Sequence, residues 1–267
     1  MLIRTWNLFH GNSVPPGGQT YLEEMVRLAA ADRPDVLCLQ EVPAWALPRL
    51  GDWARMAGLP EIAARPKLGP FPSTAGIGHA ITALNPGLFR SAFSGQGNAI
   101  LLNPQFETED YRALVLNPWD FRREAAERLD LGIVARLAWA KERRVVQTIR
   151  ALVPDGRRIL VANLHATSFP PDRRLADEEV ARAAGFLEAA RHPSAVQVLA
   201  GDFNIFPSRS KTLRRLVEEG FSSPGPEVDH VLVRGSESSP PERWPPERRR
   251  IDGHTVSDHP PLEVRFE

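Results

Sequence analysis

The chain has 267 residues, of which 42% are apolar and 25% charged, an ordinary balance for a globular protein. Its single cysteine excludes an internal disulfide framework, and a chain this long can bury about three quarters of its unfolded surface without one. Lys plus Arg equal Asp plus Glu at 33 each, which argues against binding nucleic acid through bulk charge and leaves only a local basic patch open.

The first predicted strand is residues 2–6, ending at Asn7. A Pro- and Gly-rich loop follows, and Thr20 with Glu23 three residues later has the spacing of a capping box that opens a helix stopped by Pro34. Residues 35–40, DVLCLQ, are apolar on both faces, the mark of a fully buried strand, with Glu41 at its end. A helix is predicted over 44–57 and a loop over 58–78. Strands are predicted at 80–84, 99–102 and 113–116. Residues 119–130 read as an exposed helix or a loop, and 131–142 fit no single pattern. A hairpin over 145–153 and 158–164 turns at Pro154-Asp155-Gly156. A helix over 175–191, a buried strand over 195–200, a helix over 208–219, strands over 228–233 and 262–266, and a loop over 235–250 complete the chain.

Strands and helices mix from end to end with no repeat and no linker, so the expectation is one α/β domain with mixed sheets over residues 1–267. No segment approaches the ~18 apolar residues of a membrane span. The stretch MLIRTWNLFHGN lacks a signal peptide's apolar run, so the expectation is a cytoplasmic monomer.

Polar residues stand at the ends of the predicted buried strands. Asn7, Glu41, His165, Asp202 with Asn204, Asp229, and Asp258 with His259 all occupy such positions. Strand ends of neighbouring strands bring sequence-distant side chains together on a rigid base. Together these positions offer carboxylates, imidazoles and amides, and hard oxygen ligands of this kind suit Mg²⁺ or Mn²⁺. A divalent ion with two histidines and an aspartate is a reasonable set for hydrolysing a phosphate ester.

The motifs WN at 6–7, LQE at 39–41, NLH at 163–165, GDFN at 201–204, VDH at 228–230 and SDH at 257–259 occur in that order. Together they resemble the endonuclease/exonuclease/phosphatase superfamily with its DNase I-like fold. The resemblance implies a four-layered α/β sandwich, two packed mixed β-sheets flanked by helices, and divalent-metal hydrolysis of phosphodiesters or phosphomonoesters. It assigns Glu41 as the principal Mg²⁺ ligand, with Asn7 helping and Asp258 near the metal. Asp202 would orient or activate the attacking water, Asn204 and His165 would contact the phosphate, and His259, oriented by Asp229, would act as base or phosphate ligand. The Asp229–His259 pairing supposes that their two strands are neighbours. Leu8, Phe9 and His10 follow WN where some abasic-site endonucleases carry an acid, and His165 is the residue of the DNase, sphingomyelinase and deadenylase branches. Both features point away from a dedicated DNA-repair enzyme.

Each residue alone has a plain structural reading: Asn7 as a turn cap, Asp202 and Asn204 as an Asx turn, His165 as a core histidine. Six motifs in order outweigh these readings. His10, His79, His192, His230 and His254 are read as structural, Asn98 as a neighbour of the site at most, and Cys38 as a small buried hydrophobe. Arg243, Arg248, Arg249 and Arg250 are either a phosphate grip or a solvated loop. The sequence thus predicts a phosphodiesterase, with nucleic acid the leading substrate. Phosphatase or lipid-headgroup activity of inositol phosphate or sphingomyelin type is the alternative, and a non-catalytic binding module the remaining one.

Overall fold

The computed structural model describes residues 1–64 and 95–267. The predicted strand at 80–84 and His79 lie outside the described residues. Among the described residues, eleven strands fall into two mixed sheets. The first contains β1 (Leu2–Asn7), β2 (Val36–Val42), β3 (Ala57–Ala64), β4 (Gln96–Leu102), β10 (Glu242–Arg243) and β13 (Leu262–Arg265), in the order β10-β13-β1-β2-β4-β3. The second contains β5 (Glu107–Val115), β6 (Val145–Leu152), β7 (Arg158–His165), β8 (Ala195–Asp202) and β9 (Asp229–Arg234), in sequence order. A small ribbon pairs β11 (Arg250–Ile251) with β12 (His254–Thr255). Only β1–β2 and β7–β8 are parallel among the paired strands; the other ladders are antiparallel.

The layers follow from side-chain alternation. In β2, Val36 and Cys38 face the opposite sheet, where Ile149, Val161 and Val198 meet them. Leu37 and Leu39 face outward and are covered by α1 (Leu22–Ala30) and α2 (Leu50–Ala54). On the other side, Leu160, Ala162 and Leu199 are covered by α5 (Arg174–Ala189) and α6 (Lys211–Glu218). The stack is therefore helix, sheet, sheet, helix, as the resemblance implies. Between the hairpin strands β5 and β6 the chain adds α3 (Trp119–Arg128) and α4 (Ile133–Ala140), which share a small core around Trp139 with Leu175 of α5.

Several boundaries differ from expectation. Thr20 does not cap α1: it bridges to Asn12, and the helix starts at Leu22 after Tyr21. The helix expected over 44–57 is reduced to a 3-10 turn at Leu47–Arg49 and the five-residue α2, and strand β3 runs from the last residue of that expected helix into the expected loop. Residues 119–130 and 131–142 both contain helices. Gly, Pro and mixed apolar–charged runs carried no clean period there, and tertiary packing decided the outcome.

The two sheets are joined by buried amides. Gln40 Nε2 of β2 donates to Asn163 Oδ1 of β7 at 2.7 Å and to Thr5 Oγ1 at 2.9 Å. Asn163 Nδ2 donates to the carbonyls of Leu39 at 3.1 Å and Ala99 at 3.0 Å. Gln40, Thr5 and Asn163 are all wholly buried. Asn163→Ala would remove one of the two partners of the Gln40 amide and the side-chain donor to both carbonyls, each at a cost of about 1–3 kcal/mol. Urea denaturation should show a loss of about 3 kcal/mol or more with an unchanged m-value. A loss under about 1 kcal/mol would show that the bridge contributes little.

Candidate active site

The ends of β1, β2, β7 and β8 meet at one edge of the seam between the sheets. Asn7 is the last residue of β1, and its Nδ2 donates to Asp202 Oδ2 at 3.0 Å across that seam. Glu41 sits near the end of β2 at a register shift against β4, with a left-handed backbone (φ 51°) that turns it away from the regular strand alternation. Its two carboxylate oxygens lie 3.6 Å from His10 Nε2 and 3.8 Å from His165 Nε2.

His165 and Asp202 end the parallel strands β7 and β8 in direct register, with His165 Nε2 3.5 Å from Asp202 Oδ2. Gly201 makes this closeness possible. Its φ is +137°, and a Cβ there would fall 2.0 Å from the Leu164 carbonyl oxygen. Asp202 is buried, and its Oδ1 accepts from the Asn204 amide N–H at 3.0 Å. Asn204, itself at φ 53°, donates one side-chain N–H to the Ala166 carbonyl at 3.0 Å.

Asp229 opens β9, and His259 precedes β13. These strands are neighbours, as the pairing supposes, and they meet across the seam between the two sheets. His259 Nδ1 and Asp229 Oδ2 are 2.8 Å apart, and His259 Nε2 lies 3.9 Å from Asp202 Oδ2. The SDH segment is anchored to the WN segment. Trp6 Nε1 donates to the His259 carbonyl at 2.8 Å, and Ser257 Oγ donates to the Asn7 carbonyl at 2.7 Å. Asp258 is exposed, and its charge reaches His259, where it adds to those of Asp202 and Asp229. Asn98 is buried and donates to the Val145 carbonyl at 3.2 Å, a structural role.

The sequence reading missed two residues. His10 is buried beside Glu41, on a turn where Phe9 and His10 both have positive φ. The only sequence signal was its place three residues beyond Asn7. Arg144 is buried just before β6, with Nη1 3.1 and 3.3 Å from the two ring nitrogens of His165 and Nη2 3.0 Å from a Glu142 oxygen. No motif surrounds it. Three of the four arginines read as a grip or a solvated loop are otherwise employed. Arg243 pairs with Glu227, Arg248 pairs with Asp32 and stacks on Trp244, and Arg249 donates to the carbonyls of Val256 and Ser257.

The two site histidines are driven to opposite charge states. Burial, and then the positive charge of Arg144, push His165 well below its usual range, so it is neutral. Burial also opposes a charge on His259, but Asp202 and Asp229 on either side outweigh it and raise the histidine above its usual range. Burial raises Asp202, assisted by the Asp229 charge and opposed by His259 and the hydrogen bond from Asn7.

Asp202, Asp229 and His259 hold one potential ligand atom each within 4.8 Å of one another, but His259 must lose its proton before it can bind a metal. Glu41 with Asn7 offers a carboxylate and an amide oxygen, the hard donors that Mg²⁺ and Mn²⁺ favour. The residues present therefore fit such an ion.

A sandwich of two mixed sheets with carboxylates and imidazoles gathered where its strands end is the architecture of the DNase I-like phosphoester hydrolases. The chain belongs to the endonuclease/exonuclease/phosphatase family, which it matches over residues 5–259. Members of this family are phosphoester hydrolases that typically use a divalent metal, and this chain is such an enzyme. No curated protein sequence matches it. Among solved structures, it is similar to an endonuclease/exonuclease/phosphatase from Beutenbergia cavernae (17% identity, 100% of this chain, 71% of that one, TM-score 0.65). It is also similar to a mannosyl-6-phosphatase from Bacteroides thetaiotaomicron (14%, 100% and 99%, TM-score 0.61). A third similar structure is TDP2 from C. elegans (15%, 99% and 74%, TM-score 0.58). Identities this low carry the fold alone.

The charge split is directly measurable. In the metal-free protein, imidazole ¹⁵N shifts should report His259 as an imidazolium and His165 as neutral at pH 7, and Asp229→Asn should lower the His259 pKa. A neutral His259 at pH 7 in the wild type would remove the basis for the split.

Proposed function

We propose that the protein hydrolyses phosphodiesters with Mg²⁺ or Mn²⁺ and acts as one cytoplasmic domain, residues 1–267. The observation that carries this reading is the cluster across the seam: buried Asp202 flanked by Asn7, a neutral His165 and a cationic His259 held by Asp229. In this reading Glu41 and Asn7 hold the metal, which when bound supplies positive charge to a phosphate oxygen. Asp258 stands near the metal region and adds negative charge beside His259.

The remaining chemistry falls to side chains. Asp202 accepts a hydrogen bond from the attacking water and orients it. The His259 imidazolium faces the developing negative charge, and Asp229 fixes its ring orientation through Nδ1. His165 and Arg144 contact the phosphate from the β7 side, and Asn204 has a second amide hydrogen for it. A nucleic-acid substrate keeps less support than a small or surface-held diester, because three arginines of the basic loop are engaged within the protein.

EDTA should abolish turnover and Mg²⁺ or Mn²⁺ restore it, while Glu41→Ala should abolish turnover and leave the fold intact. Full activity in excess EDTA would refute the metal assignment. Bis-p-nitrophenyl phosphate should be cleaved faster than p-nitrophenyl phosphate; the reverse order would favour a phosphatase.

Asp229→Asn should lower kcat by about 10²-fold with little change in KM, since the binding groups stay in place. Combined with His259→Ala it should be scarcely worse than His259→Ala alone. Fully additive losses would show that the two residues act separately.

A further inference from the structure

Four large apolar side chains stand out on the described surface: Ile133 at 68% exposure, Val134 at 67%, Leu137 at 64% and Trp119 at 62%. No other large apolar side chain among the described residues exceeds 44%. All four lie on the α3–α4 hairpin. Ile133, Val134 and Leu137 form one stripe of α4 at positions i, i+1 and i+4. The opposite face of α4 is already satisfied, with Ala135 and Trp139 in the core shared with α3 and α5. The outward stripe is thus surplus to folding. A patch of this kind costs solubility unless it has a use.

The cleft between α3 and α4 is lined by Arg122, Arg123 and Arg136 beside Trp119, and the hairpin's exposed acids, Asp120, Glu124, Glu127 and Asp130, do not line it. Helix α4 contains no carboxylate; its one charged residue is Arg136, and the exposed Lys141 and Arg143 follow it. Glu142, between them, is turned away to Arg144 and Gln96. Trp119 carries the Arg123 guanidinium over its ring at 4.7 Å. Aliphatic side chains, a tryptophan and cations on a short exposed helix suit the boundary between lipid headgroups and acyl chains.

The hairpin is also fixed to the catalytic edge. Trp139 Nε1 donates to Glu179 Oε1 at 2.7 Å, and Glu179 Oε2 accepts from the amide of Thr167, two residues past His165, at 2.6 Å. Asn117 Nδ2 donates to the carbonyls of Trp139 and Glu142, and its Oδ1 accepts from the Arg144 amide. A surface that receives α4 therefore lies against the element that leads into Arg144.

We propose that the exposed face of the α3–α4 hairpin docks the protein on an anionic lipid bilayer. The contact is interfacial, because the helix has eight residues and no described helix is long and apolar enough to span a membrane. The inference stands apart from the reaction proposed above.

The test is co-sedimentation of the full chain, in EDTA so that turnover plays no part, with vesicles of phosphatidylcholine alone or with added phosphatidylglycerol. The wild type should pellet with the anionic vesicles and remain in solution with the neutral ones. The combined variant Ile133→Ser, Val134→Ser, Leu137→Ser should weaken binding by about tenfold or more. It should leave hydrolysis of soluble bis-p-nitrophenyl phosphate unchanged, since all three side chains point to solvent. Lys141→Glu with Arg143→Glu should weaken binding and flatten its salt dependence. A wild type that stays in solution with anionic vesicles overturns the proposal, as does equal binding of the serine variant. A wild-type dimer that the serine variant loses, without vesicle binding, also overturns it and assigns the face to a second copy. Vesicle binding without hydrolysis of any diester supports the docking face and removes the catalytic reading instead.

Discussion

The hydrogen-bonded amides of Gln40 and Asn163 are the constraint on which the site depends. Two sheets built from distant segments could slide against each other on an apolar interface, since dispersion and burial are nearly indifferent to small shifts. A buried amide pair is not indifferent, because each unmade bond costs a desolvated polar group. Gln40 immediately precedes Glu41, Asn7 is its register partner on β1, and Asn163 lies two residues before His165. Pinning these amides therefore sets the separation of the groups just beyond them. The Asn7–Asp202 bond repeats the same link one step closer to solvent.

The seam also explains how so many ionisable groups share a small volume. Asp202 is wholly surrounded by protein, where an isolated carboxylate would be neutral. Burial raises its pKa to about 6, and the charge on His259 and the hydrogen bonds from Asn7 and Asn204 limit the rise. His259 gains its charge from the carboxylates on either side, and Arg144 removes the need for one on His165. Environments that push two like groups apart in pKa are how one pocket holds a donor and an acceptor together.

Much of this was legible in the sequence because strand ends are legible. Short apolar runs such as DVLCLQ and AVQVLAG mark buried strands, and a polar residue at the end of such a run has few other places to be. Glu41, His165 and Asp202 follow from that rule. The same rule reaches neither His10 nor Arg144. His10 depends on two consecutive left-handed residues that no local pattern announces, and Arg144 on the packing of a helical insertion with no clean period. Asp258 stands in the bend with His259 and is exposed, and its charge adds to the field that favours the His259 imidazolium. The cross-sheet position of Asp229 and His259 was likewise beyond reach, because strand order is a non-local property.

The six motifs divide into residues that react and residues that hold. Trp6, Ser257 and Gly201 touch no substrate in the proposed reaction. Yet Trp6 and Ser257 tie the His259 segment to the end of β1, and Gly201 lets β7 and β8 approach at His165 and Asp202. A motif of this kind is a unit of geometry, with its polar member useful only at the position its neighbour enforces. Elements attached to that frame from outside are under no such constraint. The α3–α4 hairpin contributes one small core and a few hydrogen bonds to the catalytic edge, and its outer face is free to vary without disturbing the seam. In a fold whose chemistry is fixed by paired strand ends, such an insertion is where a surface that chooses the setting of the reaction can be built.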